Sequence, residues 1–148
     1  MNVPAVLCSR WYAAPAELIF RAFTEPQLLE RWFCPSPQAA VRVEQCEPRP
    51  GGTYRFVYHF PGANTRTVTG EYLIVTPAQQ LIFTWTWEPP DPNAGILTLV
   101  TIDFAELDTG TQVSVRHERF PTPEMRSSHE SGWTSTLARL VLLCPDPH

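Results

Sequence analysis

Sixteen prolines punctuate this chain of 148 residues, about twice their usual share, and they restrict where regular structure can form. Proline has no amide hydrogen and a fixed φ. It interrupts strand ladders and helix interiors but is tolerated in a helix's first turn. The proline-free stretches are therefore the candidate elements. Val6 to Tyr12 reads as a first strand. Pro15 opens a helix whose apolar spacing is Leu18, Ile19, Ala22 and Phe23. Thr24 has the character of an N-cap for a second short helix, with Pro26 near its start and Gln27 three residues on. That helix runs through Leu28, Leu29 and Trp32, and Pro35 and Pro37 end it.

The pattern then turns strand-like. Val41 to Cys46 is a short strand, followed by a turn at Pro50-Gly51-Gly52. Tyr54, Phe56 and Tyr58 alternate with Arg55, Val57 and His59 in the next strand, and Pro61-Gly62-Ala63-Asn64 turns the chain back. Arg66 to Thr76 is a strand with Gly70 inside it, which marks a bulge, a bend or a close backbone approach. After Pro77-Ala78-Gln79, the residues Leu81, Phe83, Trp85 and Trp87 form a period-2 apolar stripe. Glu88 to Ala94 is a proline-rich loop. Ile96 to Phe104 and Thr111 to Arg119 make a hairpin with its turn near Asp108-Thr109-Gly110. Pro123 and Glu124 start a final helix. Trp133, Leu137, Leu140, Val141 and Cys144 keep helical spacing, Leu143 is its last residue and Pro145 stops it. Such a helix is roughly 30 Å long. Gly132 at its middle costs up to ~1 kcal/mol relative to alanine, a cost consistent with a close backbone contact or a cavity wall.

Short turns between consecutive strands imply antiparallel pairing. A meander of six strands after the first strand and helix pair, with one long amphipathic helix left over, must bury that helix on the sheet. The expected fold is therefore α+β: a helix-grip arrangement in one domain over residues 1–148. A curved antiparallel sheet of about six or seven strands wraps the C-terminal helix, and two short helices after the first strand plug one end.

Composition narrows the function classes. Apolar residues are 43% and charged residues 18%, so the chain can form a core and is not of the disordered class. The net charge of −4 argues against nucleic acid and against anionic membrane surfaces as partners. No apolar run approaches the ~20 residues of a membrane span. Met1 to Tyr12 lacks the basic start and apolar stretch of a signal peptide, which points to the cytoplasm. Cys8, Cys34, Cys46 and Cys144 have no CxxC spacing, so free thiols are expected, not a zinc site or a thioredoxin-like motif. There is no GxSxG, no HExxH and no phosphate-binding glycine loop. No metal and no cofactor is expected.

The order and spacing of several short motifs resemble one family. These are Pro15-Ala16-Glu17 with Ile19-Phe20 and Ala22-Phe23-Thr24; Pro26 with Leu29 and Trp32-Phe33; Gly51-Gly52-Thr53-Tyr54-Arg55-Phe56; and Gly70-Glu71-Tyr72 followed by Pro77, Leu81 and Phe83-Thr84-Trp85. Val100-Thr101 with Phe104, Gly110-Thr111 with Val113, His117, and His129 with Gly132-Trp133 and Leu137 complete the set. Over roughly residues 5 to 142 the chain resembles the heat-shock protein 90 ATPase activator-like (AHSA-type) proteins of the START-like, or SRPBCC, superfamily. The resemblance implies the helix-grip fold and a hydrophobic cavity. It says much less about activity, because the superfamily spans lipid and hormone binders and aromatase/cyclase-type proteins.

On that basis the candidate ligand-binding residues are Trp32, Tyr54, Phe56, Tyr58, Phe83, Trp85, His117, His129 and Trp133. Each has two readings. His117 shares a strand face with Val113 and Val115, so it either points into a cavity or is a core histidine satisfied by a neighbour. His129 and Trp133 lie four apart on one helix face and either roof a cavity or anchor the helix to the sheet. Trp32-Phe33 either borders the cavity mouth or plugs one end. The sheet aromatics suit a flat or greasy ligand and equally suit a packed core. Arg55, Glu71 and Arg116 fall on the opposite strand phase and read as solvated charges. Three functions compete. The first is non-catalytic binding of a small hydrophobic or aromatic molecule. The second is a cyclase, dehydratase or hydrolase with His117, His129 and Tyr58 as its proton-handling groups. The third, resting on the resemblance alone, is a chaperone-associated interaction domain with a role in stress response. The open sheet edges also allow a homodimer.

Overall fold

The computed structural model describes residues 2–144. The elements, in chain order, are strand β1 (Val6–Tyr12), helices α1 (Ala16–Thr24) and α2 (Pro26–Trp32), strands β2 (Ala40–Cys46), β3 (Thr53–His59), β4 (Arg66–Thr76), β5 (Gln80–Trp87), β6 (Thr98–Leu107) and β7 (Gly110–Glu118), and helix α3 (Pro123–Arg139). All seven strands form one antiparallel sheet in the order β1-β7-β6-β5-β4-β3-β2. Strands β2 to β7 are a plain meander. β1 pairs with β7, with Val6 opposite His117 and Tyr12 opposite Thr111. The α1–α2 segment therefore carries the chain from one sheet edge to the other. The sheet curls around α3 as a half-barrel, which is the expected helix-grip α+β fold.

The inward stripes follow strand periodicity. Leu81, Phe83, Trp85 and Trp87 of β5 are buried, as are Thr98, Val100, Ile102 and Phe104 of β6 and Val113, Val115 and His117 of β7. On α3 the buried residues Met125, His129, Trp133 and Leu137 recur every fourth position, with Thr136 beside them. Two of these five are polar, so α3 needs specific partners and not apolar contact alone. Thr122 caps its start by accepting from the Met125 amide. Tyr12 ties its end to β1, donating from its hydroxyl to the Leu137 carbonyl at 2.6 Å.

Gly70 records a close approach. A Cβ there would lie 2.0 Å from the Thr84 carbonyl oxygen and 2.4 Å from the Tyr54 ring. Its absence lets the Tyr54 hydroxyl cross β4 and donate to that same carbonyl at 2.6 Å. A register shift follows between Tyr72 and Ile74.

Three local expectations need correction. Thr24 does not cap α2. It ends α1, its hydroxyl bonded to the Phe20 carbonyl one turn back, and Glu25 takes the N-cap position without a side-chain bond. The last helix does not stay α-helical to Leu143. It tightens into a single 3₁₀ turn over Leu140–Leu143, a common way to end a helix; Pro145, the expected stop, lies outside the described residues. The β6 strand begins at Thr98, not Ile96, because Ala94 bridges back to Trp87 and the Gly95 amide bonds the Trp87 carbonyl.

Candidate functional site

Between the concave face of the sheet and α3 lies a cavity of about 460 Å³. Its sheet wall is Tyr58 of β3, Arg66 of β4, and Trp85 and Trp87 of β5. Its helix wall is His129, Gly132 and Trp133, with Ser128 and Thr136 at the sides. Phe33, Pro35, Phe60, Pro92 and Asn93 close the rim. Gly132 sits here because α3 passes over open space: a Cβ on it would meet nothing within 4 Å. A cavity wall, not a backbone contact, is the setting of this mid-helix glycine.

The sequence candidates divide between wall and core. Tyr58, Trp85, His129 and Trp133 line the cavity. Trp32 lies elsewhere. It is fully buried, donates from Nε1 to the Ala22 carbonyl at 2.8 Å and packs edge-on to Phe23, so it plugs the α1–α2 end. Its neighbour Phe33 is the residue of that pair that reaches the cavity. Phe33 touches Trp32 at 5.2 Å on one side and faces Trp85 and Trp133 at 6.4 and 5.8 Å on the other. Tyr54, Phe56 and Phe83 pack among themselves and Tyr72, filling the neighbouring part of the groove. His117 lies behind the wall, fully buried.

Two tryptophan–histidine pairs cross between sheet and helix. Trp87 of β5 donates its indole N–H to Nε2 of His129 on α3 at 3.0 Å. An indole can only donate, so Nε2 accepts and Nδ1 carries the proton, which faces the Met125 carbonyl at 2.8 Å. In the opposite sense, Trp133 of α3 donates to Nδ1 of His117 on β7 at 3.0 Å. Nε2 of His117 then holds the proton and donates to the Thr98 hydroxyl at 2.8 Å, and that hydroxyl donates to the Trp85 carbonyl. The imidazoles meet edge-to-face, 5.2 Å apart, and are locked in opposite tautomers. Burial holds both pKa values below the ordinary histidine value, that of His117 well below with His129 adding to the effect. Both rings are neutral and neither has a free lone pair.

Arg66 sits at the mouth. Its guanidinium lies 4.3 Å from the Trp87 ring centroid, and its Nε donates to Asp91 at 2.6 Å. The other Asp91 oxygen accepts the Asn93 amide, so the proline-rich loop is fastened over the cavity's edge by a carboxylate that is itself almost wholly buried. Sequence reading offers Phe33 only as part of the Trp32-Phe33 pair at the cavity mouth and Trp87 only as part of the aromatic stripe, and it misses Pro35, Phe60, Arg66, Pro92 and Asn93. Arg66 follows a turn and starts a strand, and nothing in its neighbours signals that it folds inward over Trp87. By contrast Arg55 and Arg116 do fall on the outer face, paired with Glu88 and Glu44 and with Glu118.

Among the described residues no helix is long and apolar enough to cross a membrane. No curated protein matches the chain. Solved structures of similar fold do. A protein from Chromobacterium violaceum shares 25% identity at a TM-score of 0.83, covering 97% of this chain and 100% of its own. One from Nitrosomonas europaea shares 29% at 0.77, covering 95% and 93%. The AHSA1 protein from Silicibacter pomeroyi shares 25% at 0.82, covering 93% and 95%. The model of the family described as activator of Hsp90 ATPase homolog 1-like protein matches residues 13–144. That match spans most of a chain folded as a helix-grip sheet, and the chain belongs to that AHSA1-type family of the START-like fold.

Proposed function

We propose that this protein binds a small hydrophobic or aromatic molecule in the cavity between the sheet and α3. The observation that carries this reading is the cavity itself: about 460 Å³ of space walled by Phe33, Tyr58, Trp85, Trp87 and Trp133. Pockets of roughly 300–1,000 Å³ with apolar walls and a few polar groups are the usual form of small-molecule sites. Aromatic walls of fixed orientation hold a flat ring by area and by edge-to-face contact.

The enzymatic alternative has less support. His117 and His129, the natural proton carriers, each spend their acceptor nitrogen on an indole N–H. A general base needs that lone pair within reach of a substrate proton. Tyr58 is buried, and burial pushes its phenol above the ordinary value, so it is a donor and not a base.

A ligand that binds only the folded state raises the melting temperature in a concentration-dependent way. Naphthalene is a suitable first probe. It should raise Tm in the natural chain and not in Gly132→Leu, whose side chain projects into the cavity from a position with open space around it. Equal shifts in the two proteins would show that the probe binds elsewhere, and no shift in either would sink the reading.

A further inference from the structure

The polar groups of the cavity are unevenly matched. The His129 and Asp91 acceptors at the wall already have donors. Nε2 of His129 takes the Trp87 indole, and the two Asp91 oxygens take Arg66 Nε and the Asn93 amide. The donors are not all used. The Trp85 indole nitrogen is buried with no hydrogen-bond partner, alone in this among the buried side-chain nitrogens and oxygens of the described residues. The Tyr58 side chain is 5% exposed and its hydroxyl bonds no residue among those described. Arg66 uses Nε on Asp91, and its terminal nitrogens carry no hydrogen bond. Tyr58 and Arg66 stand directly opposite each other in the register of β3 and β4, while Trp85 lies on β5 beyond Trp87 with its nitrogen closed off from the cavity. They belong to the sheet wall. The helix wall opposite offers Gly132, Trp133 and the fully engaged His129, with Ser128, whose hydroxyl donates to the Met125 carbonyl, and the Thr136 hydroxyl at its sides.

A buried donor without a partner costs free energy, and a ligand atom that accepts from it removes that cost. The charge of the site decides which acceptor. Arg66 is balanced by Asp91, and no other cationic side chain lines the cavity. A ligand carboxylate would enter an apolar space without a counter-charge of its own, which is unfavourable. We infer that the cavity selects a neutral, flat aromatic molecule bearing a carbonyl oxygen, with that oxygen directed to the sheet-wall donors Tyr58 and Arg66 and the hydrocarbon laid against Trp85, Gly132 and Trp133.

This inference rests on the ligand-binding reading above, and the two fail differently. Three probes share one bicyclic ring: 2-acetylnaphthalene, naphthalene and 2-naphthoate. Calorimetric titration of the natural chain should give 2-acetylnaphthalene an affinity about tenfold above that of the other two, the worth of one buried hydrogen bond. Tyr58→Phe should lower the affinity for the ketone more than that for naphthalene, shrinking the difference between them. Equal affinity for ketone and hydrocarbon, or tightest binding of the naphthoate, overturns the inference and leaves the ligand site standing. Binding of none of the three overturns both.

Discussion

The indole N–H of Trp133 ends on a nitrogen that has no other donor, and this makes the residue more than an apolar anchor. Trp133→Phe keeps a ring on the helix but leaves Nδ1 of His117 buried and unpaired. It should cost about 2–4 kcal/mol, from the lost volume and the orphaned acceptor together. The midpoint of urea unfolding measures it, and a cost below ~1 kcal/mol would mean that the bond is not what holds the helix. Gly70→Ala tests a different single contact. The new methyl would collide with the Thr84 carbonyl and the Tyr54 ring, neither of which can swing away. A loss of about 1–3 kcal/mol is expected from overpacking. Both histidines and Trp133 stood out in the sequence, yet their pairing did not. Trp133 is 16 residues from His117, and Trp87 is 42 from His129, so the bonds depend on how the sheet is rolled. Periodicity reports which face a residue takes, and carries no information on which residue waits across the groove.

Helix α3 shows where element-scale reading succeeds and where it stops. Its buried stripe through His129, Trp133 and Leu137 follows from four-residue spacing, and the Phe83-Trp85-Trp87 stripe of β5 from two-residue spacing. Both were legible because the core dictates them directly. The boundaries were not. The Thr24 hydroxyl had two carbonyl or amide partners within reach, and the turn of α1 before it won. The tight turn at Leu140–Leu143 depends on tertiary contacts, since Leu140 is fully buried while Val141 and Leu142 are exposed. The glycine at position 132 was visible as an oddity, and its two readings separate by measurement. With nothing within 4 Å of a Cβ, Gly132→Ala should raise stability by about 0.5–1 kcal/mol, the intrinsic helix preference alone. A loss of stability would mean that α3 lies closer to the sheet than the cavity allows.

At the scale of the whole molecule, the two buried imidazoles make folding depend on pH in a specific window. In the unfolded chain both histidines titrate near the ordinary value of about 6.5. In the fold, burial keeps both neutral to lower pH. Below about pH 6.5 the unfolded state therefore binds protons that the folded state does not. Stability then falls as pH falls, by up to ~1.4 kcal/mol per pH unit for each histidine, until the folded-state pKa is reached. Above pH 6.5 the contribution is complete and flat. The carboxylates act in a separate window. Glu25, Glu44, Glu47 and Glu88 are held below the ordinary carboxylate value by hydrogen bonds and arginine neighbours, so what they contribute is lost only as pH drops through about 4.5 and lower. Between pH 6.5 and 5 the slope belongs to the histidines. His129 faces Trp87, the Met125 carbonyl, Ser128, Arg66, Asp91 and His117, and only Asp91 and the carbonyl favour a charged ring. His129→Gln places an amide oxygen where Nε2 now accepts from Trp87, retaining that bond while removing one titration. Urea unfolding from pH 7.5 to 5 should show a steep loss in the natural chain and about half that slope in the variant. An unchanged slope would assign the whole effect to His117, and a flat profile in the natural chain would mean that the crossed tryptophan–histidine pairs do not keep the rings neutral.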